Sequence, residues 1–222
     1  MRKVIMACMG ILALSASTTF AADLRMPTKG PAFIPTYNWT GFYVGLNGGY
    51  GWGTSNWSNA VATTGDFNIN GALIGGTLGY NMQFGSFVAG LEGDLDWSTI
   101  KGSSSAPVCL PGTCDTKNSW LATGRVRLGY AFDRWLPFVT GGVAGGDVQA
   151  STPLGTDKKT TFGWTVGGGL EAALWSSWTW KVEYLYVVLG KGQCTAACGN
   201  PPSAVDVDFK ANIIRAGLNY RF

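Results

Sequence analysis

Histidine is absent from the 222 residues, and Asp, Glu, Lys and Arg together supply only 13% of them. The first absence removes the imidazole base on which most hydrolytic triads and proton-transfer sites depend, so no enzymatic activity is expected. The second is roughly half of the ~25% charge of a soluble globular domain and leaves a surface ill suited to water. Past residue 21 no apolar run approaches the ~20 residues that a membrane-spanning helix requires. An excess of one charge sign is missing too: the formal net charge is +3, and removal of Arg2 and Lys3 with a leader leaves +1. That is too little for a nucleic-acid-binding patch.

What is present begins with an address. Arg2 and Lys3 precede an apolar run from Val4 to Leu14, then small residues and "TFAAD", the order of a secretory signal peptide with cleavage expected after Ala21. Residues 22–40 contain Pro27, Pro31 and Pro35 without periodicity and read as a periplasmic linker. Residues 41–222 read as one domain.

The domain repeats with period two, not 3.6. In "FYVGLNGGYGW" (42–52), Phe42, Val44, Leu46, Tyr50 and Trp52 share one face, and Gly45, Asn47, Gly49 and Gly51 the other. Eight such segments occur, near 42–52, 70–82, 87–98, 119–132, 136–148, 161–174, 178–189 and 207–222. The fifth has the weakest alternation, and its Pro137 belongs at a strand start or edge. Short links at 83–86, 133–135 and around Ser176 alternate with long ones at 53–69, 99–118, 149–160 and 190–206. Short turns at one end and long loops at the other are the habit of an outer-membrane barrel with periplasmic turns. The expected fold is therefore all-β: an eight-stranded antiparallel transmembrane β-barrel.

Volume decides which face is inside. An eight-stranded lumen holds little more than its own side chains and would be overfilled by the aromatic set. The rings are therefore expected outside, in two interfacial girdles: Trp52, Trp97 and Trp120 near the long loops, and Tyr80, Tyr130, Trp178 and Trp180 near the short turns. Inside, Glu92, Asp94, Asp96, Glu171 and Glu183 are expected to face Arg125, Arg127, Lys181, Arg215 and Arg221, because charges withdrawn from water need partners. Glu92 opposite Arg127 and Asp94 opposite Arg125 fit one antiparallel register, and Glu171 with Lys181 fits the next short turn. Such a lumen is closed or nearly so; the competing expectation is a narrow channel for ions or small solutes.

Four cysteines remain after the leader, Cys109 and Cys114 in one long loop and Cys194 and Cys198 in another. In an oxidising compartment the even number favours disulfides within each pair. A metal site is disfavoured by the lack of histidine and the separation of the pairs, and no cofactor is expected. Leu218, Tyr220 and Phe222 end the chain on an alternating aromatic strand that can close against the first strand.

"YNWTGFYVGLNGGYGWG" (37–53), "GALIGGTLGYNMQFGSFVAGLEGDLDWS" (71–98), "GRVRLGYAFDRWLPFVTGGVA" (124–144), "WKVEYLYVVLG" (180–190) and "IIRAGLNYRF" (213–222) together resemble the alphaproteobacterial outer-membrane surface-antigen proteins, the RopB-like porin family of rhizobia and brucellae. The resemblance covers nearly the whole mature chain except the long loops. It implies an outer-membrane location, contact with membrane lipid, and a surface antigen contributing to envelope integrity and to host or surface-ligand contact through the loops. It also implies that Leu218, Tyr220 and Phe222 form the terminal signal read by the barrel assembly machinery.

Overall fold

The computed structural model describes residues 37–58, 63–105, 113–152, 155–194 and 205–222. Their regular structure is all strand: β1 (Gly41–Ser58), β2 (Thr63–Phe84), β3 (Phe87–Ser98), β4 (Lys101–Ser104), β5 (Cys114–Lys117), β6 (Trp120–Tyr130), β7 (Trp135–Thr152), β8 (Gly155–Ala173), β9 (Trp178–Cys194) and β10 (Val205–Arg221). Eight of these close into an antiparallel barrel in the order β1, β2, β3, β6, β7, β8, β9, β10, with β10 returning to β1. Closure pairs Val44 with Tyr220 and Leu46 with Leu218, and no wall strand is left with an open edge. Short β4 and β5 extend the wall above β3 and β6, β4 against β2 and β5 against β7.

The alternation of the sequence becomes the inside and outside of the wall. Along β1, Phe42 and Leu46 are 61% and 75% exposed, whereas Tyr43 and Asn47 between and beside them are 3% and 5% exposed. Large apolar residues facing outward around every wall strand invert the arrangement of a water-soluble barrel and require a lipid surround. At the short-turn end, Gly85 adopts φ +63° between β2 and β3, and Asp133 adopts φ 53° between β6 and β7. Both lie in the left-handed region, which glycine enters freely and aspartate tolerates.

All eight alternating segments are strands, including the weak fifth, which becomes β7. The long links differ from expectation. Most of 53–69 and 149–160 is strand, β9 runs into 190–206 as far as Cys194 and β10 begins there at Val205, and 99–118 contains β4 and β5. Strands of 17 to 22 residues exceed the ~9–11 that cross a membrane, so the wall continues as paired ribbon beyond the bilayer. Polar composition had marked these stretches as loops; what it marked is strand leaving lipid for water.

A second correction concerns height. Glu92 stands opposite Arg125, and Asp94 opposite Thr123, two residues from the expected register. A shift of two keeps each side chain on its face, so parity alone could not exclude it. Aromatic pairing of Phe87 with Tyr130 and Trp97 with Trp120 accompanies the observed register. Glu171 does stand opposite Lys181.

Candidate functional site

The charged residues of β3, β6, β8, β9 and β10 converge in one layer across the lumen. Arg125 contacts Glu92 and Asp94 at 2.5 Å and Glu183 at 2.9 Å. Arg215 contacts Asp96 at 2.7 Å, Asp94 at 2.8 Å and Glu183 at 2.7 Å. Lys181 lies 2.9 Å from Glu92 and 3.0 Å from Glu183. Arg127 pairs with Glu171, lies 3.7 Å from Glu92 and stacks 3.9 Å over the Phe138 ring. All nine of these residues are buried. Ions so far from bulk water persist only when each has several partners, and branching arginines shared among carboxylates supply them.

Arg221 is not part of this layer. It lies at the short-turn mouth, its guanidinium 4.3 Å over the Tyr37 ring, donating to the Asn38 and Ser176 carbonyls. Parity assigned its face correctly, but its guanidinium is taken up by the Tyr37 ring and the turn carbonyls and not by a lumen carboxylate. The layer therefore has five acids and four bases instead of five of each. Neutral donors spread the extra negative charge. Tyr43 donates to Glu92 at 2.7 Å, Thr77 and Thr123 to Asp94 at 2.7 and 2.9 Å, and Thr179 and Asn219 to Glu171. These polar residues were missed as site members. Their signal was available, since Tyr43 has the parity of Gly45 and Asn47.

Glycines make the space. A Cβ on Gly79 would stand 2.3 Å from the Tyr43 ring, and one on Gly75 would stand 2.1 Å from Asp96 Oδ1. Three carboxylates, Glu92, Asp94 and Glu183, offer oxygens within 4.8 Å of one another, but Arg125 already bonds to all three.

Apolar layers lie above and below the charges. Toward the hairpin end Leu73, Ile100, Leu121, Leu185, Leu189, Phe209 and Ile213 pack inward with Trp57 above them. Toward the short-turn end Trp39 packs with Val88, Ala131, Leu136 and Ala173 against Tyr37. Trp39 is 1% exposed and its amide donates to Gln83 Oε1 at 2.7 Å, while Thr40 accepts from the Gln83 amide. Thus residues 37–40, expected to be the end of a loose linker, fill the mouth of the barrel. Neither layer had been foreseen. Along β9, Leu185, Val187 and Leu189 continue the inward parity of Lys181 and Glu183, but apolar neighbours on the outer face erase the alternation.

The outer face carries aromatic residues at both ends. Phe42 with Tyr80, Phe87 with Tyr130, Trp135 with Trp180 and Trp178 with Tyr220 meet at 4.5 to 6.2 Å between ring centres near the short turns. Trp52, Trp97, Trp120 and Trp164 stand nearer the hairpins, with Trp97 opposite Trp120. Leu218, Tyr220 and Phe222 all face outward, and the Phe222 amide donates to the Phe42 carbonyl at 3.0 Å. Cys114 is buried and opens β5, and Cys194 ends β9, both in strand rather than loop. Cys109 and Cys198 lie outside the described residues.

A family model described as outer membrane protein beta-barrel domain matches residues 6–222. The chain belongs to this family. It is 37% identical to a 31 kDa outer-membrane immunogenic protein of Brucella melitensis over all of both chains. It is 35% identical to a 22 kDa outer membrane protein of Rhizobium leguminosarum, over 68% of this chain and 65% of that one. Among solved structures, Neisserial surface protein A covers 82% of this chain and 98% of its own, at 11% identity and TM-score 0.47. The resemblance to rhizobial and brucellar proteins and the outer-membrane location both hold. The short turns then belong to the periplasm and the hairpins to the cell exterior.

Proposed function

We infer that the protein is a closed outer-membrane scaffold that holds β-ribbons at the cell surface, contributes to envelope integrity and presents those ribbons to host or external ligands. The observation that carries this reading is the stacking of the ionic layer between two apolar layers. A hydrated ion entering from outside would shed water against Leu185, Leu189 and Phe209, then displace Arg125 or Arg215 from its carboxylates, then pass Trp39. Each step exchanges a solvated or paired charge for a poorly solvated one. Solute flux tests the reading: liposomes carrying the folded protein should retain a small trapped dye as well as empty liposomes do, and rapid release would overturn it.

A narrow channel is the second reading. The excess of one acid in the layer favours cations in that case, so a cation-over-anion preference in any conductance would support it.

A further inference from the structure

The wall divides at its hairpin end. β7 and β8 stay paired as far as Thr152 and Gly155, and β9 and β10 as far as Cys194 and Val205. β8 and β9, however, pair only from Gly163 with Leu189 downward. Among the described residues, 155–162 of β8 therefore have a partner strand on one side alone.

The free side follows from the alternation of backbone groups along a strand. A Cβ on Gly190 would stand 2.8 Å from the Phe162 carbonyl oxygen, so Phe162 directs its carbonyl toward β9. Every second residue does the same, and the amides and carbonyls of Thr156, Lys158 and Thr160 thus face the gap between the ribbons. Thr156, Lys158, Lys159, Thr160 and Phe162 are all exposed, Phe162 by 76%. A row of unpaired backbone groups on an exposed edge is a template for one more strand.

Charge selects which strand fits. Lys158 is paired with Asp147 at 3.2 Å, and Asp147 is committed in turn to the amides of Ser119 and Trp120 at 2.8 and 2.9 Å. Lys159 forms no ion pair among the described residues. A second copy of the chain is disfavoured, because two such edges bring Lys158 and Lys159 of both copies into one short ladder, where like charges repel. An acid opposite Lys159 makes the same position attractive.

We propose that residues 155–162 of β8 form a docking edge for an extended, acidic segment of an external protein, added antiparallel to the sheet. This role rests on the surface-presentation reading above. Residues opposite Lys158 and Thr160 exchange backbone hydrogen bonds with them. Lys159 has the inner parity of buried Thr161, so the acid opposite it lies on the inner face of the ribbon. An aromatic residue opposite Phe162 packs on the outer face.

The probe is a blocked, dye-labelled peptide, Tyr-Thr-Val-Glu-Thr-Val-Thr, which sets Tyr opposite Phe162 and Glu opposite Lys159. It is titrated with refolded mature protein in detergent and read by fluorescence anisotropy, and saturable binding is expected. N-methylation of the two amides that face Thr160 and Lys158 should weaken binding about tenfold or more, since each loses a backbone hydrogen bond. The same change on the Glu amide, which points away from β8, should leave binding nearly unchanged. Replacing the peptide Glu by Lys should abolish binding, and Lys159→Glu in the protein should recover the Lys peptide, with heat-shifted gel mobility confirming that the variant is folded. Absence of saturable binding, equal binding of the two kinds of methylated peptide, or a folded Lys159→Glu variant that keeps the wild-type preference overturns the proposal. Liposomes carrying the same protein read the closed scaffold separately: dye retention without peptide binding overturns the docking edge alone.

Discussion

Arg215 on β10 and Asp96 on β3 meet at 2.7 Å, although 119 residues separate them and their strands are not neighbours in the wall. The contact is a strut across the lumen. Arg215 also holds Asp94 and Glu183, so it ties the paired strands β9 and β10 to β3 across the lumen.

Removing one member of such a network leaves charges buried without partners. Arg215→Leu should cost about 3–5 kcal/mol, read as a lower urea midpoint of the folded barrel in detergent. Arg221→Leu, at the half-exposed mouth, should cost far less. If both substitutions shifted the midpoint equally, the distinction between layer and mouth would fail.

The contrast between these two arginines also shows how far the sequence could be read. Period two assigned both to the inner face, and it found every wall strand, because lipid outside and a packed lumen inside impose opposite chemistries on alternate residues. It could not assign height. Register is set by pairs such as Trp97 with Trp120, and a slip of two residues between Glu92 and Arg127 leaves every parity intact. The apolar layers escaped notice for a different reason: where Leu185, Val187 and Leu189 point inward and Tyr184, Tyr186 and Val188 outward, both faces are apolar and the alternation carries no signal. Trp39 lies before the first strand, where no periodicity exists to read.

Trp39 makes the plug at the periplasmic mouth testable. Trp39→Ala deletes a buried indole and should destabilise the barrel by about 3–5 kcal/mol, measured by the same urea titration. It should also speed leakage of a small dye from liposomes only slightly, because the ionic and outer apolar layers remain. Leakage as fast as through an open porin would mean that Trp39 alone seals the lumen.

The terminal strand offers a prediction about biogenesis. Phe222 is 76% exposed and contributes its amide to the closing seam, so its ring is available to a partner during assembly. Deleting Phe222 should sharply reduce the heat-resistant, outer-membrane fraction in cells while leaving refolding in detergent largely intact. Normal assembly in cells would remove the signal role.

Disulfides within Cys109–Cys114 and Cys194–Cys198 are expected in the exterior hairpins. Denatured, unreduced mature protein should show no free thiols, and four after reduction; four before reduction would refute the bridges. Reduction should leave the heat-shifted gel mobility unchanged, since the ionic layer lies well below these hairpins.

The central claim is that charges and apolar layers together close the lumen, and single-channel conductance in planar bilayers tests it most directly. Folded protein, verified by heat-shifted mobility, should leave the bilayer silent at moderate voltage. Defined, reproducible openings from the same sample would contradict the account and make Arg125, Arg215 and their carboxylates the lining of a pore.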